Sequence, residues 1–415
     1  MTRLILTLGY YIKSQPLSQI LLPISMPQLP HEVWAQVCEQ SDHSTLKTLR
    51  QICRISSHEA SRCLFRECCL DILPKSVSML HSLTQTRHIS RHVRSLQISM
   101  NRLQAFDFET FRNRFDILIP PDVSSRVISM QMPSLLKTRR GLNVSGEELW
   151  IRRCFLRYQI YYRAQSRILR HSNCLNSIFV NLDALQNVKF LTVSSSHETP
   201  YWNEFRQDVF HDSTISLCTC CDAHTSILSH VVRLLERYRR SMTHIEADII
   251  PKYIVPSVSC AFNLRSCRLK LTSNLQLNKT GLGLRTFLLH TRGLRTLHIE
   301  FPPTCMYCTR FDLNALFCQL TFLDLRDLHL QMALATQEYL ADLCRQYYPK
   351  LESLAIVELH LKSGSWADAL SSLRSEFSAC TIWVQDLSEG NGWDIITPAP
   401  YRDGCTLPEL AATYK

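Results

Sequence analysis

Glycine is scarce, with 10 in 415 residues. Phosphate-cradling loops need glycines at fixed spacing so that the backbone can approach the ligand. Neither GxGxxG nor the Walker A spacing occurs. GxSxG and HExxH are missing too, which leaves nucleophile-elbow and zinc-protease chemistry without a motif. The 16 histidines are dispersed, and no nucleophile–base pair has recognisable spacing. No stretch reaches the roughly 18 apolar residues that a membrane-spanning helix needs. Acidic residues are absent before Glu32, and the start, MTRLILTLGYYIKSQPLSQILLPIS, has an apolar core broken by Lys13. A signal or transit peptide stays open as an alternative. The reading adopted is that Met26 is the effective start and residues 1–25 are a disordered extension.

What is present is a globular balance: 45% hydrophobic, 9% aromatic and 20% charged residues, with a net charge of +10. The basic surplus favours an acidic partner and says nothing of fold. The 18 cysteines lie scattered through apolar segments. A secreted disulfide scaffold is short and follows a signal peptide. The cysteines therefore read as reduced, buried small hydrophobes, and the expected compartment is the cytoplasm, the nucleus or both.

Residues 26–40, MPQLPHEVWAQVCEQ, start a short apolar helix. Pro30 is expected at its first position, where a missing N–H costs nothing, and Glu32 in the first turn, where a negative charge suits the helix dipole. Val33, Trp34, Val37 and Cys38 follow at helical spacing. A second run places Leu46, Leu49 and Cys53 along one face, and a third carries Ala60, Cys63, Leu64 and Phe65. Three short helices in about 45 residues bury too little surface to stand alone. They need a partner surface or a neighbouring domain.

The same residues fall into three ordered blocks. These are Leu29-Pro30-x-Glu32-Val33-Trp34, then Leu46-x-x-Leu49-Arg50-x-Ile52-Cys53-Arg54, then Leu64-Phe65-Arg66. Residues 28–72 thereby resemble an F-box. The resemblance implies three helices that dock onto a Skp-type adaptor and through it onto a cullin–RING ubiquitin ligase. It implies adaptor contacts by Leu29, Pro30, Glu32, Val33, Trp34, Val37, Leu46, Leu49, Arg50 and Cys53. One position departs from the family pattern: Ser56 stands where an aromatic is usual. The plain alternative is a helical subdomain packed on the rest of the chain.

Further on, segments of the form apolar-x-x-apolar-x-apolar recur. They are HVRSLQI, NVKFLTV, NLRSCRL, GLRTLHI, QLTFLDL and KLESLAI. The apolar residues of the last four begin at 264, 294, 320 and 351, giving spacings of 30, 26 and 31. A period of this size marks leucine-rich repeats. Leu228, Val231, Val232 and Leu235, and again Leu340, Leu343, Cys344 and Tyr347, fall at helical spacing between strands. Strand–helix units that cannot bury their faces alone must stack. In this register Leu294, Leu297, Leu323 and Leu354 point into a shared core, while Arg295, His298, Asp324 and Glu352 point outward. The usual strand-ending Asn is missing, so the repeats are irregular.

The expected fold is therefore α/β: residues 26–72 form a small three-helix F-box, and 73–388 an irregular leucine-rich-repeat-like solenoid with a helical insertion near 101–180. Residues 389–415 read as an irregular tail. In the insertion, LRYQIYYRAQSRILRH followed by NLDALQNVKFLTVSS has a texture similar to that of fungal F-box proteins.

Two clusters invite other chemistry. Cys218, Cys220 and Cys221 lie near His211 and His224, and Cys305 and Cys308 form a lone CxxC. Zinc prefers four ligands in paired groups, and neither cluster has a regular partner, so free thiols are expected and no metal or other cofactor. Around 150–170, Arg152, Arg153, Arg157, Arg163, Arg167 and Arg170 interleave with Phe155, Tyr158, Tyr161 and Tyr162. That mixture can bind nucleic acid, but long basic side chains also cover apolar helix faces. The expectation is a non-catalytic substrate-recognition adaptor of a Skp–cullin–F-box ligase, holding an unknown protein substrate, with no membrane and no nucleic acid. The alternative is a basic-surfaced scaffold or nucleic-acid-associated protein with no link to a ligase.

Overall fold

The computed structural model describes residues 29–99, 101–118, 146–194, 199–210, 234, 237–238, 241–247, 263–270, 284–301, 311–317, 320–347, 350–377, 379–389 and 405–406. The chain opens with three short helices, α1 (His31–Glu39), α2 (His43–Leu49) and α3 (Arg54–Leu64). Each start has its own chemical cause. Pro30 sits at the N-cap of α1, one residue before the expected first helical position. Its carbonyl accepts from the Val33 and Trp34 amides at 3.1 and 3.2 Å. Asp42 caps α2 by accepting from the Thr45 amide at 2.8 Å. At α3 the Cys53 thiol accepts from the Ser56 amide, and the Ser56 hydroxyl accepts from the Cys53 amide at 3.1 Å. The same hydroxyl donates to the Leu49 carbonyl at 2.8 Å, so Ser56 ties the end of α2 to the start of α3. Trp34, Cys38, Leu46, Leu49 and Ala60 form a separate small core between the three helices.

From β1 (Glu67–Leu70) onward, strands and helices alternate. Next come α4 (Pro74–Gln85), α5 (Arg87–Ser90) and β2 (Ser95–Ser99). A helical stretch follows: α6 (Phe108–Leu118), α7 (Gly146–Arg170) and α8 (Ser172–Leu182). Then come β3 (Phe190–Ser194), α9 (Pro200–Phe210), β4 (His244–Ala247), β5 (Ser266–Lys270) and β6 (Thr296–Glu300). The last third holds β7 (Phe311–Asp312), α10 (Leu313–Phe317), β8 (Asp327–Gln331), β9 (Ala333–Thr336), α11 (Gln337–Tyr347) and β10 (Ser353–Val357). It closes with β11 (His360–Ser363), α12 (Trp366–Glu376), β12 (Thr381–Gln385), β13 (Ser388–Glu389) and β14 (Cys405–Thr406).

The main sheet runs β1-β2-β3-β4-β5-β6-β8-β10-β12-β14. Its order follows the chain, and every pair is parallel except β12 with β14. Strand side chains alternate between faces, and the register turns that alternation into ladders. Cys68, Leu96, Leu191, Ile245, Cys267, Leu297, Leu328, Leu354 and Ile382 stand side by side across nine strands. A second ladder two residues on runs from Leu70 and Ile98 to Ile356 and Val384. Both ladders belong to one continuous core, covered by helices such as α11 and α12. On α11 the expected residues Leu340, Leu343, Cys344 and Tyr347 are the buried ones. The helix expected around Leu228–Leu235 lies mostly outside the described residues.

A second, four-stranded parallel sheet, β13-β11-β9-β7, runs alongside the end of the array. A residue of left-handed backbone leads into it each time: Met332 after β8 (φ 59°), Glu358 after β10 (φ 51°) and Asp386 after β12 (φ 50°). The Met332 amide donates to Val357 and the Glu358 amide to Gln385, both at 2.9 Å, so successive turns are bonded to one another.

Two expectations are corrected here. Within QLTFLDL, residues 320–325 form no strand, and Leu323 is 65% exposed. The strand begins at Asp327, and its inward residues are Leu328 and Leu330, with Leu325 buried ahead of them. The register had slipped by five residues. The C-terminal stretch read as an irregular tail contributes β14, which pairs antiparallel with β12 through Trp383–Thr406 and Val384–Cys405.

The insertion between β2 and β3 shares an aromatic core with α9: Phe111, Trp150 and Tyr158 come from the insertion, Trp202 and Phe205 from α9. Buried polar groups join it to the sheet. The Thr199 hydroxyl donates to Asp71 Oδ2 at 2.6 Å, and Trp202 Nε1 donates to the Ser99 hydroxyl at 3.3 Å. Burial raises the pKa of Asp71 above the usual carboxylate range, against these hydrogen bonds.

Candidate functional site

The residues assigned to adaptor contact divide into two groups. Trp34, Leu46 and Leu49 are buried, at 4%, 6% and 0% exposure, and face the interior of the three-helix unit. Val37 packs against the same core. Trp34, Leu46 and Leu49 build the unit, which corrects the expectation that Trp34 lies at a contact surface, while Val37 stays half-buried. The others reach the surface. Pro30 and Glu32 are exposed, Leu29 and Val33 half-buried. Arg50 is half-buried, with its guanidinium 5.1 Å from the centre of the Phe65 ring. Cys53 is an exposed free thiol at the α3 cap. Sequence reasoning missed Ile55, an exposed large apolar residue in the first turn of α3.

The second candidate surface is the open face of the main sheet, formed by the residues between the two buried ladders. Its central row reads Gln97, Thr192, Glu246, Arg268, His298, His329, Ala355 and Trp383. Rings stack along it. His298 and His329 lie 3.7 Å apart and nearly parallel. One row away, Phe190 and His244 stack at 4.4 Å. Trp383 is an exposed large hydrophobic at the far end. Ion pairs cross the strands beside the rings: Arg268 with Glu246 at 3.6 Å and Lys270 with Glu300 at 2.5 Å. His298 Nε2 and His329 Nε2 are buried without a hydrogen-bond partner. Burial, followed by His329, Arg268 and Lys270, pushes the pKa of His298 down to about 4. At neutral pH this pair presents uncharged imidazoles with unused hydrogen-bonding capacity. The outward reading of His298 was legible from strand alternation; its stacking was not, because His329 lay in the misread register.

The basic helix of the insertion is α7. Its aromatic residues turn inward: Tyr158 is buried, and Phe155, Tyr161 and Tyr162 pack against the insertion core. Its arginines face outward, together with Leu156 and Ile160, which are 64% and 68% exposed. Interleaving along the sequence thus separates onto two faces, and few rings are free to stack on bases. Arg152 pairs with Glu148 at 2.9 Å and Arg157 with Asp208 at 3.6 Å. Among the described residues Arg163, Arg167 and Arg170 have no ion-pair partner. They line two adjoining clefts of about 200 and 250 Å³ with Arg102, His171 and Tyr162.

Cys218, Cys220, Cys221, His211, His224, Cys305 and Cys308 lie outside the described residues. Among the described residues ten cysteines are free, and half of them are buried. Burial pushes the Cys38, Cys68, Cys154 and Cys344 thiols up to about 12. Such thiols are poor nucleophiles, because reactivity belongs to the thiolate. Among the described residues no helix is long and apolar enough to cross a membrane. No family model matches the chain, and no curated protein matches it significantly.

Proposed function

We propose that this chain is a non-catalytic substrate-recognition adaptor of a Skp–cullin–F-box type ubiquitin ligase. In this reading α1–α3 are the F-box, and the array of strands is a leucine-rich-repeat-like domain that holds a protein substrate on its open face. The mechanism is proximity: tethering raises the effective concentration of substrate lysines near the charged enzyme. The observation that carries the reading is the small core of α1–α3, closed among themselves, which leaves Leu29, Pro30 and Val33 at the surface of a unit set directly before a long parallel sheet. The compartment expected for that role is the cytoplasm or nucleus.

The test is co-purification. Changing Leu29 and Pro30 together to Ala removes roughly 1.5–3 kcal/mol of side-chain burial at Leu29 in the complex, and it loosens the cap of α1. The double variant is expected to lose a Skp-type adaptor that wild-type protein retains, while still unfolding cooperatively. Undiminished adaptor in the double variant would remove the F-box reading of these residues.

One observation favours the second reading, a basic-surfaced, nucleic-acid-associated protein: Arg163, Arg167 and Arg170 of α7 have no ion-pair partner among the described residues. Nucleic-acid affinity falls steeply with salt because counterions are released on binding. The adaptor reading expects no retention on immobilised RNA or DNA at physiological salt. Salt-sensitive retention, weakened by Arg163→Glu and Arg167→Glu and accompanied by no adaptor, would favour the second reading.

A further inference from the structure

The three-helix unit holds a cluster with no part in the proposed docking. Glu59 on α3 is 2% exposed, and two imidazoles approach its Oε1: His31 Nε2 from α1 at 2.9 Å and His58 Nδ1 at 2.8 Å. Its other oxygen, Oε2, accepts from Arg62 Nε at 2.7 Å. Arg62 also reaches Glu39 on α1 at 2.9 Å. We propose that His31 Nε2, His58 Nδ1 and Glu59 Oε1 form a binding site for one divalent transition-metal ion of the zinc class, which clasps the start of α1 to α3.

Several observations carry this. The three donor atoms come from two helices and lie within 4.8 Å of one another. Two imidazole nitrogens and one carboxylate oxygen are a donor set that suits zinc, cobalt or nickel better than calcium or magnesium. The carboxylate is held from behind, because Arg62 occupies Oε2 and leaves Oε1 to face the rings. Ligating carboxylates generally carry such an outer hydrogen-bond partner. With neutral imidazoles, Glu39 and Glu59 against Arg62 leave one net negative charge to receive a cation.

Access is open. The His31 and His58 side chains are 59% and 45% exposed, so an ion enters from solvent and water fills the remaining coordination. Zinc–ligand bonds of about 2.0–2.1 Å set tetrahedral donors about 3.3 Å apart. Each exposed ring would therefore retreat by about half an ångström. The competing account is a purely hydrogen-bonded cluster, in which both imidazoles donate to the same oxygen and His92 packs edge-on against His58 at 5.1 Å.

The test uses the full chain, stripped with a chelator under reducing conditions and titrated with Co²⁺, which reports its ligands by colour. One equivalent is expected to bind, with ligand-field bands of nitrogen and oxygen coordination and no thiolate charge-transfer band. Zn²⁺ is expected to raise the melting temperature of the stripped protein. In the double variant His31→Gln, His58→Gln both effects should vanish, while the metal-free melting temperature stays at the wild-type value. If the double variant melts early without metal, His31→Gln alone carries the test. Loss of the Co²⁺ equivalent with an unchanged fold supports the site. No stoichiometric binding by wild type, a thiolate band, or an equivalent retained without His31 overturns it.

Discussion

His298 lies flat against His329 in the middle of the open face, and its surroundings set the pH at which it takes up a proton. Burial first, then the His329, Arg268 and Lys270 charges, push its pKa from 6.5 down to about 4. His329 is pushed down by burial and by Arg268, against Glu300. The unfolded chain binds the proton near the ordinary imidazole value, and the folded chain refuses it until lower pH. Stability is therefore fully present above 6.5 and lost as pH falls from there through about 4. His298→Phe keeps a ring against His329 and removes both the titration and an unpaired buried nitrogen. Its melting temperature should fall less steeply across that window than the wild type's, as thermal melts at a series of pH values would show. Parallel curves for the two proteins would mean that His298 is not the group responsible.

At the scale of elements, the turns between the two sheets repeat a backbone device. Met332, Glu358 and Asp386 each follow a strand and each adopt positive φ, which L-residues other than Asn and Asp seldom visit. Left-handed backbone costs roughly 1–2 kcal/mol for a residue with a Cβ. Glu358→Gly should recover about 1 kcal/mol of it, less the greater entropy of glycine in the unfolded chain. Glu358→Val should lose more than that amount, since a β-branched side chain suits this region least. Chemical denaturation of the two variants decides, and equal midpoints would show that the turn is unstrained. Gly364 supplies the same freedom before α12: its φ is +87°, and a Cβ there would fall 2.5 Å from Gln337 Cβ. These turns explain why the second sheet was not legible. Two of its three turns carry a Met and a Glu, where glycine, asparagine or aspartate would have marked a turn. The ladder strands were legible where Leu, Ile and Val stand in them. They were missed in β1 and β4, where Cys68 and Ala247 fill ladder positions, and in β12, whose Ile382 and Val384 follow no leucine three residues earlier. The paired rings of the open face and the His31–His58–Glu59 cluster depend on neighbours distant in sequence, which no spacing rule reports.

Across the whole molecule, the parallel sheet couples each strand chiefly to the two beside it. The stretch from Leu320 to Leu330 contains two overlapping frames of the same pattern, Leu320-x-x-Leu323-x-Leu325 and Leu325-x-x-Leu328-x-Leu330. Sequence alone does not choose between them, but the sheet does: only the second frame puts a leucine beside Leu297 on β6 and Leu354 on β10. Leu328 is 2% exposed in that ladder, and Leu323 is 65% exposed outside it. Leu328→Ala empties a core site, which costs roughly 2–5 kcal/mol where neighbours cannot collapse into the space. In a stacked array the loss spreads to the adjoining units, because each derives part of its stability from the shared interface. Leu323→Ala should stay within about 0.5 kcal/mol of wild type, as exposed substitutions generally do. The discriminating measurement is hydrogen exchange alongside denaturation. Leu328→Ala should lower the denaturation midpoint and speed exchange in β6 and β10 as well as in β8, more than in distant β2. Leu323→Ala should change neither the midpoint nor the exchange pattern. Equal destabilisation by the two variants would return the register to the first frame and, with it, move His329 off the open face.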